Sequence, residues 1–215
     1  MNVKSAKFLT SATGLEDCPK SSMPEFAFIG RSNVGKSSLI NLLTGKQGLA
    51  KVSSTPGKTK LINFFTINDS WSLVDLPGYG YARVSKGEQE GFTELIGDYL
   101  LERENLKQIY VLIDSRNEPM QIDLEFIAWL READAPLTII FTKVDKVSMP
   151  ELQGNVNRFT QTLESGGVDI PKVLSSSSKD KLGRGLILSS IQKLLPKGKS
   201  AKKKKVNISL GWMKK

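Results

Sequence analysis

Short runs of consecutive apolar residues alternate along the chain with stretches in which apolar residues recur every three or four positions. The continuous runs are typical of strands that are buried on both faces of a parallel sheet. A turn-forming trio at residues 68–70 separates two of the runs and predicts a hairpin. The predicted strands are residues 25–29, 61–67, 71–75, 109–113 and 137–141, with a shorter one at 172–174.

Helical spacing fills the intervals between these strands and gives each interval one apolar face. We interpret these faces as the core-facing sides of helices. The alternation of strands and helices predicts an α/β fold with an open, mostly parallel sheet and helices on both faces. The apolar stripes are Phe92, Leu95, Ile96, Tyr99 and Leu100; Leu152, Val156, Phe159 and Leu163; and Ile187, Ile191 and Leu194.

The first predicted strand leads directly into the pattern G-x-x-x-x-G-K-S, which is followed by an apolar helix start. In this context the backbone N–H groups of the loop and the helix N-terminus surround a phosphate. Lys36 would reach the β- and γ-phosphates, and the Ser37 hydroxyl would bind Mg²⁺. The alternative is a structural turn that carries a lysine and a serine by chance. This phosphate loop (P-loop) consists of Gly30, Arg31, Ser32, Asn33, Val34, Gly35, Lys36 and Ser37.

A second pattern, D-x-x-G, begins at the last residue of the strand predicted at 71–75. Its acid can hold a water on Mg²⁺, and its glycine can offer an N–H to a γ-phosphate. Alone, the pattern is more often a plain turn, but here it follows the P-loop on what should be the neighbouring strand. Its residues are Asp75, Leu76, Pro77 and Gly78.

A third pattern, T-K-x-D, ends the strand predicted at 137–141 and comprises Thr142, Lys143, Val144 and Asp145. A carboxylate accepts two hydrogen bonds from guanine N1–H and N2–H₂, whereas adenine lacks both donors. An unpaired buried carboxylate would cost adenine about 1–3 kcal/mol, which favours guanine. The stem of Lys143 would pack along the base and ribose.

A serine run follows the last predicted strand, where GTPases carry a loop that supports the guanine O6. It comprises Ser176, Ser177 and Ser178, and the alternative is an ordinary loop. All four motifs follow predicted strands, so they should meet at the carboxyl edge of one parallel sheet. Together they predict a GTPase domain of the P-loop NTPase class.

The amino-acid composition excludes several kinds of catalytic and metal-binding site. The 215 residues include no histidine, which excludes Ser-His-Asp and Cys-His triads and His-ligated zinc. The single cysteine, Cys18, excludes an intrachain disulfide and indicates a reducing compartment. No run approaches the roughly 20 apolar residues of a membrane helix, so we expect a cytoplasmic protein without stable membrane insertion.

Three stretches resemble the EngB (YihA/YsxC) family of bacterial GTP-binding proteins in the TRAFAC class: residues 24–41, residues 55–59 with 61–65, and residues 75–82. The resemblance implies six strands, one of them antiparallel, and five helices. It implies a G domain at 24–195 preceded by an extension at 1–23 that packs on it. It also implies a protein that assists assembly of the large ribosomal subunit and is needed for normal cell division and septation. We expect this protein to be a monomer.

The same resemblance implies Mg²⁺ ligation by Ser37 and Thr59. It further implies a switch segment that orders around the nucleotide and consists of Gly57, Lys58, Thr59, Lys60 and Leu61. Lys60 departs from the polar residue that most relatives carry there, and the serine loop departs from the family's aromatic-Ser-Ser.

Hydrolysis would proceed without the usual water-orienting glutamine, because Tyr79 follows D-x-x-G. We assign the remaining catalytic roles to Lys36, Thr59, Gly78 and Asn33. Asn33 resembles the ligand of a K⁺ ion that takes the place of an arginine finger in related GTPases. Arg31 is the other candidate cation. Intrinsic turnover should be slow, near ~10⁻⁴ to 10⁻² s⁻¹.

The net charge of +9 is concentrated in the tail at residues 196–215, which has eight lysines and no acid. The rest of the chain carries 23 basic and 22 acidic residues. Lysines beside an aromatic residue suit ribosomal RNA, by counterion release and base stacking. An anionic membrane surface is the alternative partner, which would make the protein a membrane-associated septation GTPase. A P-loop small-molecule kinase is a further alternative, although such enzymes lack T-K-x-D.

Overall fold

A computed structural model describes residues 1–51, 61–80 and 95–196 of the chain, and these residues form one seven-stranded sheet. The strand order is β1-β3-β4-β2-β5-β6-β7. Only β3 runs against its two neighbours; every other pair is parallel. The strands are β1 Ala6–Ala12, β2 Glu25–Gly30, β3 Ile62–Ile67, β4 Trp71–Asp75, β5 Leu106–Asp114, β6 Leu137–Thr142 and β7 Lys172–Ser175.

Helices cover both faces of the sheet and bury two apolar clusters against it. They are α1 Lys36–Thr44, α2 with described residues 95–102, α3 Gln121–Glu132, α4 Met149–Ser165 and α5 Arg184–Leu194. Side chains of α2, α3 and α4 share one cluster, while those of α1 and α5 share the other. No helix in these described ranges is both long and apolar enough to span a bilayer.

The predicted fold class is confirmed: the molecule is a three-layer α/β sandwich with one antiparallel strand. All six predicted strands are present, and the periodic stripes at 152–163 and 187–194 lie on α4 and α5. In the first stripe, residues 95–100 are helical, whereas Phe92 lies outside the described residues. The hairpin turn between β3 and β4 is also present, with positive φ angles of 51° at Asn68 and 50° at Asp69.

The sheet has seven strands where the family resemblance implies six. The additional strand is β1, which lies within the predicted extension at 1–23 and pairs with β3 from Ala6 opposite Ile67 to Ala12 opposite Ile62. Only the two terminal alanines of β1 are buried, and the pairing shifts between Phe8 and Thr10. An exposed edge strand with an irregular register has no clear alternation of apolar and polar residues, so the sequence pattern does not reveal it.

Candidate nucleotide-binding site

The four sequence motifs lie at one edge of the sheet. β2 leads into the P-loop, β4 ends at Asp75, β6 ends at Thr142, and β7 leads into the serine run. These four strands are parallel to one another, so their carboxyl ends point to the same side. The predicted meeting of the motifs at the carboxyl edge of the sheet is therefore seen in the structure.

The P-loop adopts a backbone that its glycines and Asn33 permit. Gly35 has a φ of 102° and forms the N-terminal cap of α1, and Asn33 has a φ of 62°. A Cβ on Gly30 would lie 2.7 Å from the carbonyl oxygen of Leu112. Val34 is buried while Ser32 and Asn33 are exposed. The loop is thus anchored in the core and turns polar residues and the α1 N-terminus outward.

Two residues of T-K-x-D hold the backbone of the P-loop. The Thr142 hydroxyl donates to the carbonyl of Val34 at 2.6 Å. The Lys143 ammonium donates to the carbonyl of Asn33 at 2.7 Å and to Asp114 Oδ2 at 2.8 Å. The sequence predicts a Lys143 stem along the base and ribose; the structure adds that its ammonium fixes the loop.

Lys36 and Asp75 form an ion pair within the site. The Lys36 ammonium donates to Asp75 Oδ1, and both side chains are almost completely buried. Ser37 follows Lys36 at the start of α1 and is partly exposed. The P-loop lysine, the D-x-x-G acid and the serine hydroxyl are therefore grouped where phosphates and a hard cation would bind.

Gly78 lies directly on the P-loop backbone. A Cβ at this position would lie 2.9 Å from the carbonyl oxygen of Gly30 and 3.2 Å from the Ser32 nitrogen. Leu76 is buried, and Pro77 completes the short connection from Asp75. No residue larger than glycine fits at position 78 without a shift, which places its amide beside the loop that would hold the phosphates.

The Tyr79 side chain, which stands where the water-orienting glutamine is absent, points into the core. It is fully buried, its ring centroid lies 4.4 Å from that of Phe126, and its hydroxyl donates to Asp123 Oδ1 at 2.8 Å. Burial raises the pKa of Tyr79 well above its usual value. Burial also raises the pKa of Asp123 to about 6, against the hydrogen bond from Tyr79.

The end of the site that the sequence predicts to recognise the base contains Asp145. The hydroxyl of Ser177 donates to Asp145 Oδ1 at 2.8 Å and lowers the pKa of this carboxyl. Asp145 Oδ2 is buried and accepts no hydrogen bond from any described residue, although the Lys146 ammonium lies 3.7 Å away. One carboxylate oxygen is thus fixed by the protein, and the other has no hydrogen-bond partner among the described residues.

The serine run contributes unequally to this end. The Ser176 carbonyl accepts from the Val144 amide at 3.3 Å, and the Ser176 amide donates to the Phe141 carbonyl at 2.8 Å. Ser177 is fully buried, and Ser178 is exposed. The run therefore joins the T-K-x-D turn mainly through its first two serines.

Part of the predicted switch segment falls outside the described residues. Gly57, Lys58, Thr59 and Lys60 all lie there, so the structure tests neither the second Mg²⁺ ligand nor the order of the segment. Leu61, the first residue after them, is about one-third exposed. In the described ranges, no group of three or more acidic or cysteine side chains could hold a metal ion. A cation here would depend on hydroxyls, few carboxylates and the phosphates, as Mg²⁺ sites on nucleotides do.

Asp114 and Asp123 are functional candidates that the sequence analysis missed. Asp114 binds the guanidinium of Arg116 through both oxygens and also binds Lys143. Burial raises the pKa of Asp114, but these hydrogen bonds outweigh it and lower the pKa to about 2. Its position directly after the apolar run at 109–113 is the only sequence signal. Asp123 lies inside a helix, and its contact with Tyr79 has no local signature.

Comparison with known proteins is consistent with this geometry. The sequence model of a family described as "50S ribosome-binding GTPase" matches residues 25–143. The chain is 51% identical over 194 residues to the probable GTP-binding protein EngB of Bacteroides fragilis (strain YCH46), covering 90% of this chain and 96% of that one. This chain belongs to the EngB family of GTP-binding proteins. The EngB protein of Porphyromonas gingivalis (strain ATCC 33277) is 50% identical over the same share of the chain.

Solved structures give the same fold. The crystal structure of a probable EngB protein superposes with a TM-score of 0.65 at 26% identity, covering 80% of this chain and 98% of that one. The crystal structure of NFeoB from S. thermophilus bound to GDP·AlF₄⁻ and K⁺ has a TM-score of 0.54 at 24% identity, covering 80% and 62% of the chains. The EngB match confirms both the predicted family and the predicted fold class.

Proposed function

We propose that this EngB-family chain is a GTP-hydrolysing switch that assists assembly of the large ribosomal subunit and thereby supports normal cell division and septation. The observation that carries the proposal is the Asp145 carboxylate, which Ser177 holds by one oxygen at the same sheet edge as the P-loop. The family description, which names binding to the 50S subunit, supports the choice of partner.

Guanine would be recognised through the available oxygen of Asp145. Guanine N1–H and N2–H₂ would donate to the carboxylate, with Oδ2 free to accept and Oδ1 shared with Ser177. Adenine would leave a buried carboxylate oxygen without a donor, at a cost of about 1–3 kcal/mol. Ser176 and Ser178 flank this contact in the serine loop. The geometry therefore favours GTP and GDP over adenine nucleotides.

The phosphates would lie on the P-loop amides and the N-terminus of α1. Lys36 would shift from Asp75 to the β- and γ-phosphates, and Gly78 would offer its amide to the γ-phosphate. Ser37 and Thr59 would hold Mg²⁺, with Asp75 as an outer partner. The ion would neutralise charge that develops on the phosphates during transfer.

Hydrolysis should be slow in the isolated protein, because the buried Tyr79 cannot orient the attacking water. Arg31 is turned away from the phosphates, since its guanidinium donates to the sulfur of Met120. Asn33 is exposed on the P-loop, where its side chain is free to hold a K⁺ ion. The K⁺ ion in the NFeoB structure supports this assignment. If kcat is unchanged when Na⁺ replaces K⁺, the potassium role is wrong.

The deciding experiment is co-sedimentation with purified ribosomal subunits in GTP-analogue, GDP and nucleotide-free states. The full chain should pellet with large subunits in the GTP-analogue state, and the association should weaken as salt increases. A chain that ends at Leu195 should bind GTP normally but pellet less, because the lysine tail would contact RNA. If neither chain pellets with any subunit in any state, the ribosomal role is wrong.

The same truncation distinguishes the membrane-associated alternative from the ribosomal role. Binding of the full chain, but not the truncated chain, to vesicles of anionic lipid would favour a membrane-associated septation GTPase if ribosome binding were absent. Size-exclusion chromatography with light scattering tests the proposed monomer. Cell fractionation tests the proposed cytoplasmic location.

A further inference from the structure

Residues 78–80 lie between the P-loop and the first turn of α3. The backbone of Tyr79 pairs with that of Arg31 in an isolated parallel bridge. Gly80 has a φ of 75°, and a Cβ there would come within 3.0 Å of the Ile122 side chain. The segment that follows the γ-phosphate contact is therefore held between the P-loop on one side and α3 on the other.

The contact with α3 is a buried hydrogen bond between two side chains that the proposed catalytic roles do not use. The Tyr79 hydroxyl donates to Asp123 Oδ1 at 2.8 Å, and both residues are almost completely buried. Among the described residues, Asp123 accepts no other side-chain hydrogen bond. A bond in such surroundings is sensitive to its geometry, because a buried polar group that loses its partner is left unsatisfied.

Arg31 brings the P-loop into the same cluster. Its guanidinium donates to Met120, the residue that caps α3, and its Nε is buried without a hydrogen-bond partner in the described part of the chain. The positive charge of Arg31 opposes the rise in pKa of both Tyr79 and Asp123, which places it close to both groups. Tyr79 is thus fixed by side chains from α3 and by the backbone of the P-loop.

We propose that Tyr79 and Asp123 are positioning residues for γ-phosphate recognition: their buried hydrogen bond holds the Gly78 amide against the P-loop, where it meets the γ-phosphate. This inference rests on the proposed binding of GTP. GDP has no γ-phosphate, so its affinity should not depend on the position of Gly78. The pair therefore sets the preference for GTP over GDP, and the first turn of α3 is part of the switch.

The test compares the affinity for GDP with that for a non-hydrolysable GTP analogue in the full chain. Tyr79→Phe keeps the ring against Phe126 and removes only the hydroxyl. Affinity for the GTP analogue should fall by about three- to tenfold, the usual range for one hydrogen bond, while affinity for GDP stays the same. Asp123→Asn keeps an acceptor oxygen for Tyr79. It should therefore retain the wild-type ratio of the affinity for the GTP analogue to the affinity for GDP. Asp123→Ala should lower the ratio as Tyr79→Phe does.

The double variant Tyr79→Phe, Asp123→Ala should be no worse than either single variant, because both remove the same bond. Tyr110→Phe is the matched control. It removes a buried tyrosine hydroxyl that lies 2.8 Å from Ser190 Oγ, on the opposite face of the sheet. This control should lower stability without changing the ratio of the two affinities.

The inference is overturned if Tyr79→Phe weakens GDP and the GTP analogue equally, or if Tyr110→Phe changes the ratio as much. Either result would mean that Tyr79 acts only through stability. Failure of the proposed function looks different: the wild-type chain would then show no preference for guanine over adenine nucleotides. In that case both the proposed function and this inference fail.

Discussion

At the scale of single residues, the proposed function assigns base recognition and phosphate binding to different side chains. Ser177 donates to one oxygen of Asp145, and the other oxygen has no hydrogen-bond partner among the described residues, which is the arrangement on which the proposed base recognition rests. Lys143, which a sequence pattern assigns to the base, also restrains the P-loop through Asn33. Under the proposed function, Lys143 and Asp145, two positions apart in one motif, would therefore serve different parts of the nucleotide.

Asp145→Asn should lower GTP affinity on the order of 100-fold, because two charge-assisted hydrogen bonds to guanine are weakened. The amide can donate to the C2 carbonyl of xanthine, so affinity for xanthosine triphosphate should rise relative to GTP. Displacement of a fluorescent guanine nucleotide measures both. Asp180→Asn changes an exposed carboxylate in the neighbouring loop and should have no effect. An unchanged preference in Asp145→Asn would mean that this carboxylate does not contact the base.

Asp123 should make stability depend on pH in a defined direction. Its pKa is about 6 in the folded chain against an ordinary value of 3.8, so the folded state binds the proton more tightly. The contribution of Asp123 to the free energy of unfolding is fully present below pH 4 and is lost as the pH rises through 6. A shift of this size corresponds to about 3 kcal/mol.

Asp123→Asn removes that titration. Its free energy of unfolding should therefore increase by up to about 3 kcal/mol relative to that of the wild type as the pH rises from 4 to 7. Urea unfolding at the two pH values measures the difference. Asp134→Asn, at an exposed position, serves as the control and should track wild type. If the difference between Asp123→Asn and wild type is the same at both pH values, Asp123 titrates normally.

At the scale of elements, the end of β6 stabilises the P-loop through a hydrogen bond from Thr142. Thr142→Val keeps the shape of the side chain but removes the bond to the Val34 carbonyl. We expect nucleotide affinity to fall about tenfold and stability to fall by about 1–2 kcal/mol. Calorimetric titration with GDP and urea unfolding measure the two effects.

Thr138→Val is the control on the same strand, because its hydroxyl accepts from Gln108 at 3.0 Å near the opposite end of β6. It should lower stability but leave GDP affinity unchanged. Equal loss of affinity in both variants would contradict a specific role for Thr142.

The sequence predicted the buried elements well because their patterns are local. The runs at 25–29, 109–113 and 137–141 are mostly apolar, and each lies in a central strand. The P-loop and T-K-x-D are also local patterns. By contrast, the contacts from Tyr79 to Asp123 and from Lys143 to Asp114 join residues far apart in the chain. Their partners are set by how helices and strands pack, so no local spacing reveals them.

At the scale of the whole molecule, the N-terminal segment completes the sheet. β1 pairs with β3, and the Ser11 hydroxyl donates to Asn63 Oδ1 at 2.7 Å. The amides of Lys4 and Ser5 donate to the side chain of Asn68 in the hairpin turn. Residues 6–12 are therefore part of the sheet, and the residues just before them are bound to its hairpin turn.

A chain that begins at Thr13 should be less stable by several kcal/mol, roughly the value of a lost strand with its buried contacts. It would also expose the edge of β3 and should associate with itself. Urea unfolding and sedimentation velocity measure these effects. Removal of the tail after Leu195 is the control and should change neither. Identical unfolding of the shortened and full chains would contradict a structural role for β1.

The strand order has a consequence for synthesis of the chain. β1, β3, β4 and β2 are neighbours in the sheet and all come from the first 75 residues, whereas β5, β6 and β7 follow from residue 106 onward. A nascent chain can therefore assemble one half of the sheet before the other half exists. The supports of the P-loop, Thr142 and Lys143, arrive only with the second half. Nucleotide binding should therefore not assist early folding. It would first occur when synthesis of the chain is nearly complete.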